Sequence, residues 1–356
     1  MTLVHEHEES PAAHREDAPV PSAAPLMRMA TGFWTFKTLA VALELSLFTR
    51  LSAGPHRTRA ELATELGLQD RPADMLLTAC TALGLLEKDG DAYRNTPLAE
   101  QFLVEGKDCY FGGVVRFNDR AYLAWHDLGA AVRSNRPLTW DPDIQTTLFS
   151  SGDPDFTGLF WNGMHSLSAA TARVLGQTYD FRPHRSVLDV GGGSGAFLIE
   201  LRRQHPHLTG TLYDLPHVCD FARDRIASAG MAEHVRITPG DFQREAALPG
   251  GHDLILLSMI LHDWDERDGR ALVRKCHEAL APGGVLLVCE LLVNRERTGP
   301  LDAALMGVNM LVETAAGRNY AEDEYLGWLH EAGFADTEIL RFDAAGANGV
   351  IVARRA

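Results

Sequence analysis

The sequence predicts an α/β protein: a doubly wound, mostly parallel sheet in the C-terminal half, preceded by a mainly α, winged-helix-like N-terminal part. Two observations carry the prediction. From Ser186 onward, short apolar runs (SVLDV, TGTLYD, HVRITPGD, HDLILLS, GGVLLVCE) alternate with amphipathic helical stretches, the pattern of a parallel sheet covered by helices. Ahead of them, two capped helices lead into a pair of short strands around a turn dipeptide. The length agrees, because 356 residues exceed one average domain, and 46% hydrophobic with 23% charged residues suits a globular chain with a sizeable core.

Residues 1–25 mix acidic groups, histidine and proline without an apolar block, so they read as a disordered tail and not as a secretory signal. His5, His7 and His14 there are potential metal ligands, although a solvated tail is the commoner fate. Residues 26–110 are expected to form the winged-helix-like dimerisation domain. Leu26 to Leu51 is apolar around most of a helical circumference, which favours burial against a partner subunit over burial in its own core. Thr58 caps a helix, with Glu61 completing a capping box, and Asp70-Arg71-Pro72 starts a second helix that ends near Gly84. Leu85 to Lys88 and Ala92 to Arg94 flank Asp89-Gly90 as a hairpin.

A winged helix often reads DNA, which makes a transcription regulator one rival reading. The second helix, PADMLLTACTALGLL, offers almost nothing to reach base edges, and a net charge of −15 repels a phosphate backbone, so no nucleic-acid partner is expected. Residues 111–178 read as a helical linker and substrate-cavity region rich in aromatics, and 179–356 as the sheet domain. Two last strands, near Thr337 to Phe342 and Asn348 to Ala353, supply an antiparallel edge. Cys80, Cys109, Cys219, Cys276 and Cys289 form no C-x-x-C pair, hence neither a zinc signature nor a disulfide framework. That cysteine pattern fits the cytoplasm, and with no apolar stretch of ~20 residues no membrane partner is expected.

In VLDVGGGSGAF, Gly191, Gly192, Gly193 and Gly195 stand between a strand and a helix, where backbone can approach a ligand closely. Gly191, Gly193 and Ala196 also satisfy the dinucleotide spacing GxGxx[GA], so the glycines alone do not choose the cofactor. Asp189 helps: its carboxylate would stand near a pyrophosphate, whereas it attracts the sulfonium and ammonium groups of S-adenosylmethionine (SAM). Asp214, ending the second strand, suits two ribose hydroxyls or the cap of a helix starting near Pro216. Asp241-Phe242 offers an acceptor and an aromatic face to adenine, or is a plain turn.

Methyl transfer to a hydroxyl needs a base, because the neutral hydroxyl is a poor nucleophile. His262, in LLSMILHDWDE, follows an apolar strand and precedes a helix, so it should project from the carboxyl edge of the sheet; a capping or merely buried histidine is the plainer alternative. Asp263 is expected to cap the next helix in competition with Asp265, and Trp264 to pack.

The order VLDVGGGSG, YDLPHV, GDF, SMILHDWDE and LAPGGVLLVCE resembles the small-molecule O-methyltransferases of the plant caffeate type and their bacterial relatives in polyketide and anthracycline tailoring, over residues 26–354. The resemblance implies a Rossmann-like, seven-stranded SAM-binding domain, a homodimer joined by the N-terminal helices, and a small aromatic secondary metabolite as methyl acceptor. It implies cofactor contacts at Gly191, Asp214, Leu215, Asp241, Phe242 and Ser258, to which the charge and backbone arguments add Asp189 and Gly193. It makes His262 the base and Glu290, at the end of VLLVCE, the carboxylate that orients it.

Where that family commonly carries a second glutamate, this chain has Asn319, which supplies a hydrogen bond but no charge. The acceptor pocket is expected to draw on Phe117, Trp125, Phe160, Trp161, Met164, Met259, Asn309 and Met310, with Arg116 and Arg120 as anchors for a carboxylate or as surface residues. Glu313 stands where some carbon-methylating relatives have a metal ligand. His262, Asp263 and Glu313 are therefore an alternative metal site for a 2-oxo acid, against the plainer expectation of no metal and a cavity-lining Glu313. A family member that binds SAM without transferring its methyl group is a further rival, and an NAD dehydrogenase leaves the HDW segment without a role.

Overall fold

The computed structural model describes residues 21–54, 56–145, 147–150 and 154–356. The expected tail falls, as far as residue 20, outside the described residues, and so do His5, His7 and His14.

The apolar N-terminal run is divided into α1 (Ala24–Ala30), α2 (Gly32–Glu44) and α3 (Leu47–Ser52), with breaks at Thr31 and at Ser46, whose φ is 54°. The breaks let α2 and α3 turn Leu43, Leu47, Phe48 and Leu51 into their own core, while Leu26, Met27, Met29, Phe33 and Trp34 remain exposed. Next come β1 (Arg57–Thr58), α4 (Arg59–Leu66), α5 (Asp70–Ala82), β2 (Leu86–Asp89) and β3 (Ala92–Asn95). The capping box is present: Thr58 Oγ1 accepts from the Glu61 amide at 3.3 Å, and Glu61 Oε2 accepts from the Thr58 amide at 2.7 Å. In the hairpin Asp89 pairs with Ala92, so Gly90-Asp91 make the turn, one residue later than expected, with Gly90 in the left-handed region at φ 58°.

The helices α6 (Pro97–Phe102), α7 (Gly112–His126), α8 (Leu128–Ser134) and α9 (Pro154–Thr178) follow. α7 and α9 cross closely because both carry glycine at the contact: a Cβ at Gly113 would fall 2.8 Å from the Asn162 carbonyl oxygen, and one at Gly163 3.2 Å from that of Gly113.

The rest of the chain runs β4 (Ser186–Val190), α10 (Ala196–Gln204), β5 (Thr209–Asp214), α11 (Pro216–Ser228), β6 (Val235–Pro239), β7 (His252–Ser258), α12 (Glu266–Ala279), β8 (Leu280–Glu290), α13 (Leu301–Glu313), α14 (Glu322–Ala332), β9 (Asp336–Arg341) and β10 (Gly349–Arg354). The sheet order is β6-β5-β4-β7-β8-β10-β9, parallel through the first five strands, with β10 antiparallel to both neighbours. Both faces are covered, which is why the strands read as continuous apolar runs: Leu188, Ile255 and Leu286 join one core, Val187, Leu254 and Leu287 the other. Strand order reverses between β4 and β7, and a ligand crevice opens outside the carboxyl ends of strands at such a point. Among the described residues no helix is long and apolar enough to cross a membrane.

Candidate active site

The glycine turn leaves β4 at that reversal. The Gly191 amide donates to the Tyr213 carbonyl at 2.8 Å, and Gly191, Gly193 and Gly195 have φ of 70°, 55° and 78°, which L side chains rarely adopt. A side chain at Gly191 would also collide with Ile260. Beneath the turn lie two buried carboxylates. Asp189 is 2% exposed and its Oδ2 has no hydrogen-bond partner; burial, and then the charge of Asp214, raises its pKa to about 7. Asp214 accepts the Gly193 amide on Oδ2 at 2.8 Å and the Leu215 amide on Oδ1 at 2.7 Å. Burial raises its pKa to about 6 against those two bonds. Asp214 therefore anchors the glycine turn, and Leu215 takes the cap position of α11.

Asp241 and Phe242 follow β6 in a turn in which Asp241 Oδ1 accepts the Gln243 amide at 2.9 Å. The Phe242 ring meets the Trp264 ring edge-on, with centroids 5.6 Å apart. Ser258 ends β7 opposite Cys289, its Oγ buried.

Beyond Ser258 the chain bends sharply: Met259 is in the left-handed region (φ 54°), and a single 3-10 turn, Leu261–Asp263, carries His262 inward. His262 is 6% exposed, with Nδ1 2.6 Å from Glu290 Oε2. Glu290 is fully buried, and its Oε1 accepts the amides of Ile260 and Leu261 at 3.1 and 3.0 Å. One carboxylate thus both holds the turn and fixes the ring. Burial alone would depress the imidazole, but Glu290, Asp263 and Glu313 together raise its pKa to about 9. Asp263, with Oδ1 3.6 Å from His262 Nε2, and Glu313 on α13 are both pushed up to about 7 by burial first and by neighbouring carboxylates.

Asp263 is not the helix cap. Asp265, in extended conformation, accepts the Asp268 amide at 2.9 Å and starts α12, while the 3-10 turn keeps Asp263 inside. Asn319 Nδ2 donates to the Leu291 carbonyl at 2.7 Å, its Oδ1 is buried without a partner, and it makes no hydrogen bond to His262. Among the described residues no group of three or more His, Cys, Asp or Glu is arranged to hold a metal ion, so His262, Asp263 and Glu313 do not form one.

The expected acceptor residues divide. Phe117, Phe160 and Trp161 share one buried cluster, with Phe117 and Phe160 5.3 Å apart and Met164 against it. Met310 is buried on α13 beside half-buried Asn309, whose amide lowers the pKa of Glu313 against the effect of burial. The Met259 sulfur fills the space above Gly346, and Trp125 lies outside the cluster, half-buried at the end of α7. Arg116 is paired with Glu105 at the surface and Arg120 is exposed, so neither is placed as an anchor.

Several residues of the site were not singled out in the sequence. Trp140 Nε1 donates to the Glu313 carbonyl at 2.6 Å, from an irregular segment, and Phe149 packs against Trp161 and Trp264 from a single 3-10 turn, Leu148–Ser150; neither carries a periodic pattern. His165 Nδ1 lies 2.8 Å from Ser194 Oγ; its position one helical turn after Trp161 was a signal available in the sequence.

Comparison with known proteins matches residues 27–105 to an O-methyltransferase dimerisation domain and 125–335 to an O-methyltransferase domain. The 3-hydroxy-5-methyl-1-naphthoate 3-O-methyltransferase of Streptomyces sahachiroi is 48% identical over 333 residues, covering 93% of this chain and 95% of its own. The tetracenomycin polyketide synthesis 8-O-methyl transferase TcmO of Streptomyces glaucescens is 33% identical, covering 87% and 91%. Among solved structures, human N-acetylserotonin methyltransferase in complex with SAM aligns with a TM-score of 0.82 at 27% identity, over 95% of this chain and 99% of that one.

Proposed function

The chain belongs to the O-methyltransferase family and uses SAM, and from that premise we propose that it methylates a hydroxyl of a small aromatic, polyketide-type metabolite with His262 as the general base. The observation that carries this reading is the buried His262–Glu290 pair, 2.6 Å apart, at the carboxyl ends of the strands beside the reversal point. Aromatic acceptors are suggested by the naphthoate and tetracenomycin relatives, and the Phe117–Phe160–Trp161 cluster supports them with an apolar wall for a planar ring.

The crevice fits a cationic donor. An unpartnered, buried Asp189 Oδ2 is a costly feature by itself and a favourable one beside an ammonium or sulfonium group. Asp214 has acceptor capacity left for a ribose diol, Asp241 and Phe242 suit an adenine, and Gly191, Gly193, Leu215 and Ser258 shape the floor. When bound, SAM supplies a methyl group activated by its positive sulfur. The protein handles the proton: in the neutral form of His262, which fills as pH rises toward about 9, Nδ1–H is given to Glu290 and the Nε2 lone pair takes the acceptor's hydroxyl proton. Glu290 stabilises the resulting imidazolium, and Glu313 and Asp263 add negative potential around it. That potential supports a working base despite Asn319, which carries no charge.

We further read the chain as a homodimer through its N-terminal helices, free of nucleic acid and cytoplasmic, supported by the matched dimerisation domain and the chain's net charge of −15. Incubation with methyl-labelled SAM and a panel of hydroxynaphthoates, phenols and 2-oxo acids tests the function. Label on an aromatic oxygen is expected. His262→Ala should lower kcat by about 10²–10⁴ while S-adenosylhomocysteine binding persists. Label on carbon, or an undiminished His262 variant, would overturn the reading.

A further inference from the structure

The glycine turn is held from below by the Tyr213 carbonyl on Gly191 and by Asp214 on Gly193. It is also held from above, by α9. Trp161 and His165 lie four residues apart on one face of that helix. The Trp161 ring covers Gly193, with Cζ3 3.2 Å from where a Cβ would stand, and His165 Nδ1 reaches Ser194 Oγ at 2.8 Å. Ser194 is 4% exposed, so this bond is shielded from water. One turn earlier, Asn162 ties the same helix to Arg225 of α11.

We propose that His165 is a positioning residue for the cofactor, acting through Ser194 to keep the glycine turn in the shape that receives SAM. The need is physical. Gly191, Gly193 and Gly195 all occupy left-handed backbone, and glycines lose more conformational freedom on ordering than other residues, so the turn requires outside restraint. The restraint must also be uncharged, because a cation beside the turn would repel the positive sulfur and ammonium of the ligand. Burial, with Arg225, Arg203 and Arg173 outweighing Glu200, depresses the His165 imidazole to about 4, which leaves it neutral near pH 7.

The proposal rests on the reading of this turn as the SAM site, and the experiment separates the two. S-adenosylhomocysteine affinity is measured by calorimetry for wild type, His165→Leu, Ser194→Ala and the double variant, alongside thermal unfolding without ligand. Each single change should weaken binding about five- to tenfold, and the double change no more than either single, because both delete one hydrogen bond. His165→Asn, whose amide keeps a polar group near the same place, should recover most of the loss. At saturating SAM, kcat and the acceptor KM should be retained in Ser194→Ala while the KM for SAM rises. Additive losses in the double variant would overturn the proposal, and unchanged affinity in Ser194→Ala would overturn it even if His165→Leu fails to fold. Unchanged affinity in Asp189→Asn would instead remove the underlying reading of the turn.

Discussion

At the scale of the residue, the site is a set of buried charges, each in a different predicament. Asp189 has no partner, and its folded pKa of about 7 lies above the ordinary aspartate value, so its ionised form is penalised in the folded protein above pH 7 and the penalty fades as pH falls through 7. A bound cation favours the ionised form. SAM affinity should therefore be highest above pH 7 and weaken as pH falls through 7 toward 6, where Asp214 also takes up a proton; calorimetry across that range checks it. Asp189→Asn should raise the melting temperature of the ligand-free protein at pH 8 while weakening SAM binding by about tenfold or more.

His262 is the opposite case. Burial lowers its pKa and Glu290 with Asp263 raises it, so Glu290→Gln lets burial dominate and brings the value down from about 9. Activity that needs the neutral imidazole rises with pH through that value. In Glu290→Gln the rise should move to lower pH and end on a plateau lower by about 10²-fold, because the ring loses both orientation and basicity; kcat/KM against pH measures both.

At the scale of the element, the proposed acceptor wall depends on how closely two helices approach. α7 and α9 meet through Gly113 and Gly163, and this crossing sets Phe117 against Phe160. Gly113→Ala places a methyl group 2.8 Å from a backbone oxygen, contact that no side-chain rotation relieves. The expected cost is about 1–3 kcal/mol, read as a lower melting temperature, with a raised acceptor KM as Phe117 is displaced. Thr58→Ala, which removes the cap of α4 far from the crevice, should cost about 1 kcal/mol and leave kinetics untouched.

At the scale of the whole molecule, the first two helices leave Leu26, Met27, Met29, Phe33 and Trp34 uncovered in the single chain, with Met29 76% exposed and Trp34 58%. An apolar patch of that kind on a helix pair matched to a dimerisation domain calls for a second subunit. Met29→Glu with Trp34→Glu should give a monomer by sedimentation, with α2 and α3 still folded because Leu43, Leu47 and Phe48 are buried within the chain.

The chain's own residues determine its local choices. The apolar runs from Ser186, the capping box at Thr58 and the glycines between β4 and α10 were legible because periodicity, capping and left-handed backbone are properties of neighbouring residues. His262 could be picked out as a candidate from its place after an apolar run, and Glu290 through the family resemblance, but their 2.6 Å contact exists only because parallel pairing lays β7 beside β8. Asp263 was expected as the cap and Asp265 as its competitor, and the structure reverses this, because a single 3-10 turn draws Asp263 inward and leaves Asp265 at the helix start. Trp140, Phe149 and His165 joined the site from segments distant along the chain. Tertiary structure decided all of these, since contact between remote segments is fixed by how the layers pack, and neither the burial that raises Asp189, Asp214, Asp263 and Glu313 nor the carboxylates that raise His262 against it are in place before they do.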